Sequence, residues 1–539
     1  MPGRVLPSRL VTVTGDIPAP IVADPDPGAD AGPKERRAAE SRNDANDEIA
    51  AGYRKSSKPR IILLTAAIST AGLLTVRIPV VMVLNVESVV ILLPTISEEI
   101  GIPPVRQQVA VSIYNISTGS LMLLWGRLAD VYGRRLVCLL GSVLFTISNL
   151  CLPFTRYEVP FHIVRFLQGM SGAALIPSGI GIIASTFPRN KARHNAYVCI
   201  SAVASVGSVL GNIFVGVIGG LLSWQWVFWI PAILARFIIA FAYNITDTPH
   251  LRSSPSASTS AENGGEKTRA RSVDWTGGAL VSRSLVLLLA AFTQANVIGW
   301  STPWIPPLIA ASAVLLVGFC FWQRRLEKDP AREPLLRISK FKNLQFSALF
   351  VLVAIFYASF NSFLTTSLSG LNELDTTLCF LPAVLISFVV SPVLSRIRAF
   401  HILVFGLVCG IASPFIMAIP AIPPQTSYWA YGFPAVCLCF SIEIVWPVIS
   451  LLIAASLPSA DQGLGSGLLQ SPSNVGRALG LAIATAIQTS AQGTEMAVGG
   501  FAGLPGFLYG VRAAQWTNVR FAIAALGIAV AFFRALGRV

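Results

Sequence analysis

At 539 residues, 53% hydrophobic and only 12% charged, the chain departs from soluble proteins, in which about 25% of residues are charged. Its mean hydropathy of +0.66 and its recurring apolar runs of about 20 residues exclude a soluble globular domain, and the absence of alternating ten-residue segments excludes a membrane barrel. The net charge of +14 reads as loops collected on one side of a bilayer, not as a nucleic-acid surface.

Residues 1–58 are rich in Pro, Ala, Asp, Lys and Arg and read as a disordered cytosolic tail. No apolar core segment stands near Met1, so the first span is expected to act as an uncleaved signal. The first hydrophobic region, 61–97, is interrupted by Arg77, Pro79 and Glu87. Either one tilted or broken helix covers it, or about 16 residues beyond a span's length have been inserted. Residues 78–96 look most like the true span. Further spans are expected at 108–126, 136–154, 160–184, 196–220 and 224–243. A polar break at 244–274, carrying SSPSASTSAENGGEKTRARS, reads as a flexible cytosolic loop. Two spans follow at 275–297 and 304–322, then a basic loop from Arg324 to Lys342. Six more are expected at 343–365, 376–396, 400–420, 427–456, 463–489 and 515–535, which makes fourteen.

Charge supports that count. With a cytosolic amino terminus, the inner loops hold Arg134, Arg135, Arg189, Lys191, Arg193, Lys267, Arg269, Arg271, Arg324, Arg325, Lys328, Arg396 and Arg398, whereas the outer loops hold little beyond Arg106, Arg156 and Arg512. Trp224, Trp226, Trp300, Trp304 and Trp429 fall at outer ends, as an aromatic belt requires. The eight cysteines are scattered, almost all in apolar spans. Cys437 and Cys439 have no His or further Cys beside them and read as packing residues, so no metal site is expected. No P-loop, HExxH or Gly-x-Ser-x-Gly motif is present, and four histidines make a His-based centre unexpected. Neither an enzyme nor a cofactor is indicated.

Between the second and third spans stands GRLADVYGRR, residues 126–135, read here as a short charged loop. Gly126, Leu128, Ala129, Asp130, Gly133, Arg134 and Arg135 resemble the signature Gly-x-Leu-Ala-Asp-x-x-Gly-Arg-Arg/Lys of the major facilitator superfamily of transporters. IVRFLQGMSGAA, with Arg165, Gln168 and Gly169 on one helical face, resembles the superfamily's Arg-x-x-Gln-Gly motif. GSVLGNIFVG in the fifth span resembles the antiporter motif Gly-x-x-x-Gly-Pro-x-x-Gly-Gly; Gly207, Gly211 and Gly216 match, while Asn212 replaces Pro and Val215 replaces Gly. LNVESVVILLP resembles the first-span motif, with Asn85 for its Asp and Glu87 for its Thr. DWTGGALVSRSLVLLLAAFTQ with GWSTPW, and LSWQWVFWI, are similar to fungal members of the fourteen-span drug:proton antiporter branch, the aminotriazole-resistance type. The resemblance covers about residues 78–535. It implies an all-α integral membrane fold: six-helix bundles at 61–243 and 343–535, joined by a central pair at 275–322.

Energy for such a chain comes from a gradient, which makes ionisable residues within spans the first candidates. By resemblance Arg165 tunes a neighbouring carboxyl group during proton exchange; the alternative is an arginine snorkelling to the outer interface. Glu443 is the only carboxylate in the twelfth span, and a carboxyl in apolar surroundings exchanges a proton near neutral pH; a salt-bridged structural role is the alternative. Glu87 either shares that role or is an accident of a disturbed first span. Asn115, Asn361, Asn474 and Arg477 line a pathway or, for the asparagines, bond helix to helix. By resemblance Gly126, Asp130, Gly133, Arg134 and Arg135 form a cytosolic latch between bundles; the arginines also set topology. Arg283 has no assignable role.

The resemblance thus implies a proton-coupled exporter of small organic or toxic compounds, monomeric in the lipid bilayer, with protons and a small-molecule substrate as its partners and both termini cytosolic. The plasma membrane is preferred to the vacuolar membrane. The alternatives are import of a small nutrient or ion such as ammonium, and a transport-dead membrane sensor.

Overall fold

In a computed structural model the described residues are 92, 95–186, 215, 218, 223–244, 273–300, 302–329, 333–367, 399–419, 428–438, 441–457, 461–499 and 504–534. Among them there is no strand. Twelve α-helices stand in chain order: α1 (Pro104–Tyr132), α2 (Arg134–Cys151), α3 (Glu158–Thr186), α4 (Trp226–Asn244), α5 (Trp275–Ile298), α6 (Ile305–Lys328), α7 (Leu344–Ser367), α8 (Ala399–Ala418), α9 (Tyr428–Cys437), α10 (Ser441–Ser456), α11 (Gln462–Gly499) and α12 (Leu504–Phe533). Seven of these are long and apolar enough to cross a membrane. The first, fifth and tenth expected spans lie outside the described residues, apart from 92, 95–97, 215 and 218.

One expectation needs correction. GRLADVYGRR is not a loop: α1 runs on through Tyr132, α2 starts at Arg134, and Gly133 alone breaks the helix with φ +105°. A side chain at that φ would be strained, so glycine permits a one-residue reversal that keeps Asp130 and Arg134 within reach of each other. Of the twelfth expected span, 427–456, the described residues 428–438 and 441–456 carry α9 and α10, with an internal proline in each, Pro434 and Pro447, that removes a backbone donor. Most other helices start close to the expected places, whereas α12 begins at Leu504, well ahead of the expected 515. At α5 the cause is visible, because the Asp274 side chain accepts from the Gly277 amide at 2.9 Å and caps the helix.

Helices α1, α2, α3 and α4 pack together, as do α7, α8, α10, α11 and α12, and the two groups meet where α11 lies against α1 and α3. A cluster around Leu92, Ile96, Phe161, Trp224 and Phe228 forms the core of the first group. A larger one links α7, α8, α10, α11 and α12 to Val281 and Leu285 of α5 and Leu123 of α1. The central pair is a polar-clasped hairpin. Ser284 and Ser312 exchange hydroxyl-to-carbonyl bonds of 2.9 Å, and Asp274 accepts from Gln323 Nε2 at 2.7 Å and Trp322 Nε1 at 3.1 Å. Of this pair α5 touches α1 and α11, whereas Val314, Val317 and Phe321 on α6 are 70%, 69% and 72% exposed. Such an apolar face is stable only against lipid.

The two ends of the molecule differ. One carries exposed Trp226, Trp300 and Trp304, with Trp224 buried and donating to Glu99. The other, here called the basic end, gathers Arg127, Arg134, Arg135 and the described basic residues Arg324, Arg325, Lys328, Arg337, Lys340 and Lys342.

Candidate functional site

At the basic end α1 meets the start of α11. Helix α11 begins at Gln462, and its first amides have no partner within the helix. Asp130, from the end of α1, supplies one: Oδ1 accepts from the Gly463 amide at 2.9 Å and Oδ2 from the Leu464 amide at 2.7 Å. A residue 333 positions away thus caps this helix with a carboxylate on its positive end. Arg134 fixes the carboxylate from behind, donating Nε at 3.3 Å and Nη2 at 3.1 Å, and donates Nη1 to the Gly181 carbonyl of α3 at 2.8 Å. Both side chains are buried. Arg135 is half-buried beside them.

The helices touch backbone to backbone here. A Cβ on Gly126 would lie 2.5 Å from the Gly463 carbonyl oxygen, and one on Gly463 would lie 2.7 Å from the Gly126 oxygen. One turn along, a Cβ on Gly467 would meet Leu123 Cα and the Met122 oxygen at 3.0 Å. Further along, Gly119 faces Asn474, whose Nδ2 would be 3.0 Å from an added Cβ. From Gly126 to Gly119 is about 10 Å of helix. One turn beyond, Asn115 is exposed, and so is Arg477 one turn beyond Asn474. The Arg477 guanidinium lies 4.8 Å above the Tyr357 ring, a turn from partly buried Asn361.

Arg127 was not singled out from the sequence, because it fills a variable position of the motif. It is nonetheless buried and tied twice to the other group, with Nη1 donating to Asp461 Oδ1 at 3.2 Å and Nη2 to Glu333 Oε2. Asp461 immediately precedes α11, and Glu333 lies in the segment joining α6 to α7. The signal available was a carboxylate just before a helix start, opposite an arginine three residues from Asp130.

A second constellation lies deeper, between α1, α2 and α3. Arg165 is completely buried, so the snorkelling alternative does not hold. Its Nη1 donates to Gln168 Oε1, its Nε to the Ala110 carbonyl at 3.4 Å, and its guanidinium lies 5.1 Å from the Tyr114 ring centroid. Gln168 Nε2 donates to Asn149 Oδ1 at 2.9 Å, and Asn149 Nδ2 to the Phe145 carbonyl at 2.9 Å. No described carboxylate pairs with Arg165, and its Nη2 has no hydrogen-bond partner. A buried cation held by dipoles alone, with a free donor, is an arrangement that a carboxylate or water would complete. Gly169 lets α1 approach closely, since a Cβ there would lie 2.5 Å from the Tyr114 oxygen.

Glu87, Gly207, Gly211, Asn212 and Gly216 lie outside the described residues; Glu443 falls on α10, but its side chain is likewise outside them.

Asp130→Asn tests the cap. The amide replaces one acceptor by a donor facing a backbone N–H, and lost charge-assisted bonds cost about 1.5–3 kcal/mol. The melting temperature of the purified protein is expected to fall by several degrees; an unchanged melt would show that the cap carries no stability.

The chain matches the family model described as Major Facilitator Superfamily over residues 78–481. It is similar to a low affinity ammonium transporter of Saccharomyces cerevisiae, 27% identical over 396 residues, covering 70% of this chain and 73% of that protein. It is also similar to an efflux pump of Aspergillus terreus, 24% identical over 410 residues and covering 74% and 75%. Among solved structures, the human organic anion transporter MFSD10 aligns with a TM-score of 0.57 at 16% identity, covering 86% of this chain and 99% of that one. The last likeness concerns fold alone.

Proposed function

The chain belongs to the Major Facilitator Superfamily and is a multi-pass membrane transporter, and from that premise we propose that it exports small organic or toxic compounds in exchange for protons. The basic end is assigned to the cytosol by the positive-inside rule, which puts both termini there, and the protein acts as a monomer in the plasma membrane. Its partners are the lipid bilayer, protons and a small-molecule substrate.

The observation that carries this reading is the closure of the basic end. Asp130 on the start of α11, Arg127 on Asp461 and Glu333, and the contact of Gly126 with Gly463 join the two groups through a few polar bonds and bare backbone. Such a seam has two arrangements, made and broken, as rocking of two bundles around a midplane site requires. With it made, the pathway is shut to the cytosol and open beyond Gly119 toward exposed Asn115 and Arg477. With it broken, the amides of Gly463 and Leu464 return to water and substrate reaches the pathway from inside. An arginine facing lipid costs about 2.5–3.5 kcal/mol, which supports an aqueous route beside Arg477, Asn361 and Asn474. Glu443 and Glu87 are the candidate proton carriers, with the unpartnered Nη2 of Arg165, braced by Gln168, as the donor that favours the ionised form.

The test is drug accumulation in inside-out vesicles under an imposed pH gradient, with Glu443→Gln alongside. Accumulation driven by an acidic lumen and lost in the variant is expected. Accumulation without a gradient would refute proton coupling, and an unaffected variant would refute Glu443 as carrier. A second reading, import of a small nutrient or ion such as ammonium, is favoured by the yeast ammonium-transporter relative and by Asn212 standing where the antiporter motif has proline. Under it, the protein would raise cellular accumulation of the test compound instead of lowering it.

A further inference from the structure

The basic segment between α6 and α7 bears on more than topology. Its last part, Ile338–Lys342, forms a short 3-10 helix that lies across the basic end before α7 begins. Beneath it, at the ends of α7, α10 and α12, is a cavity of about 560 Å³. Lys340, Asn343 and Gln345 make its polar side; Leu349, Phe532 and Phe533 make its apolar side. Arg337 and Lys342, both exposed, bracket Lys340 in the same short segment, so three cations stand within six residues. Two carboxylates near them are already engaged: Glu327 accepts from the Ser339 amide at 3.0 Å, and Asp461 accepts from Arg127. Phe346 of the cavity wall packs with Phe341 and Phe350 at centroid distances of 5.0–5.2 Å.

We propose that this cavity is a binding site for an anionic phospholipid of the cytosolic leaflet. The headgroup phosphate contacts Lys340 and Asn343, and the adjoining acyl chain lies over Leu349, Phe532 and Phe533. Three features together specify that ligand. The cavity is polar on one side and apolar on the other, as an amphiphile requires. It opens at the ends of three spans, at the depth of the membrane interface. Its charge is positive on the side where anionic lipids are concentrated, each basic residue near such a surface strengthening attraction about fivefold. Burial pulls the Lys340 ammonium below its ordinary value, a penalty that a bound phosphate offsets. The lipid occupies the segment that also carries Glu333, so its binding steadies one of the two carboxylates on Arg127.

The location rests on the orientation proposed above, but the test does not depend on transport. Full-length protein in neutral detergent is titrated with phosphatidylserine, phosphatidylcholine or inorganic phosphate, and retained lipid is counted by native mass spectrometry. Retention of phosphatidylserine over phosphatidylcholine is expected, with no competition by millimolar phosphate, because the acyl chain contributes. Lys340→Gln is expected to weaken retention about fivefold. Ser456→Trp, an exposed position on the cavity wall, is expected to block it without changing charge. Arg283→Gln, at an exposed arginine elsewhere, should leave it unchanged. Equal retention of phosphatidylcholine would overturn the proposal, as would displacement by phosphate. Insensitivity to Ser456→Trp would reduce the effect to diffuse attraction and overturn it too.

Discussion

Arg165→Met is expected to leave the protein folded and to lower transport about 10- to 100-fold. The two effects separate because of how Arg165 is held. A structural arginine is anchored by a carboxylate, and removing it strands that partner; here the partners are Gln168, the Ala110 carbonyl and the Tyr114 ring, and one guanidinium nitrogen has none. Methionine fills similar volume, releases the cost of a buried cation and leaves Gln168 still bonded to Asn149. The unmade bond at Gln168 costs about 1–3 kcal/mol, which the lost desolvation penalty offsets, so melting should move by only a few degrees. Transport should respond differently. If the free Nη2 favours ionisation of a proton-carrying carboxyl, losing one charge-assisted bond of about 1.5–3 kcal/mol slows the limiting step about 10- to 100-fold. Vesicle flux and a thermal melt on the same preparation decide. A collapsed melt with proportionate loss of flux would return Arg165 to a structural role, and normal flux would remove it from the mechanism.

The second large effect is expected from Gly126→Ala. The new Cβ would lie 2.5 Å from the Gly463 oxygen, a backbone atom that moves only if α1 and α11 separate. Overpacking of this kind costs about 1–3 kcal/mol, which shifts a two-state balance about 5- to 150-fold toward the open seam. The helix itself gains, since alanine is about 1 kcal/mol better than glycine within a helix. Transport should therefore fall about 10-fold or more while the fold holds. Gly467→Ala, at 3.0 Å, should act in the same direction and less, and Gly527→Ala, with nothing within 4 Å, should do nothing. Equal effects at all three positions would exclude the seam as the cause.

Much of this architecture was legible because bilayer thickness fixes span length, so the apolar runs at 275–297, 304–322 and 343–365 became α5, α6 and α7 within a few residues at most ends. Asp130 and Arg134 were legible as a pair through their motif. Their partners were not. The amides of Gly463 and Leu464 and the carbonyl of Gly181 are backbone groups that every residue carries, and only tertiary packing selects them. Gly126 and Gly463 illustrate the same point, for a glycine that admits another helix looks in sequence like one that admits a turn. Arg127 escaped detection because a variable motif position gives no reason to look there, although its charge had to be satisfied by something.

The most direct test of alternating closure at the basic end is a distance. Spin labels at Tyr132→Cys on α1 and Ser456→Cys on α10, both exposed positions near that end, would be introduced after replacing exposed Cys151 with Ser. Pulsed electron resonance would be recorded in lipid nanodiscs at neutral and acidic pH, with and without a transported drug. Two populations are predicted, a short one corresponding to the seam described here and a longer one, with their ratio moved by pH or drug and displaced to the longer distance by Gly126→Ala. A single distance unmoved by pH, drug and Gly126→Ala alike would contradict the account, because a seam that never opens cannot pass a substrate.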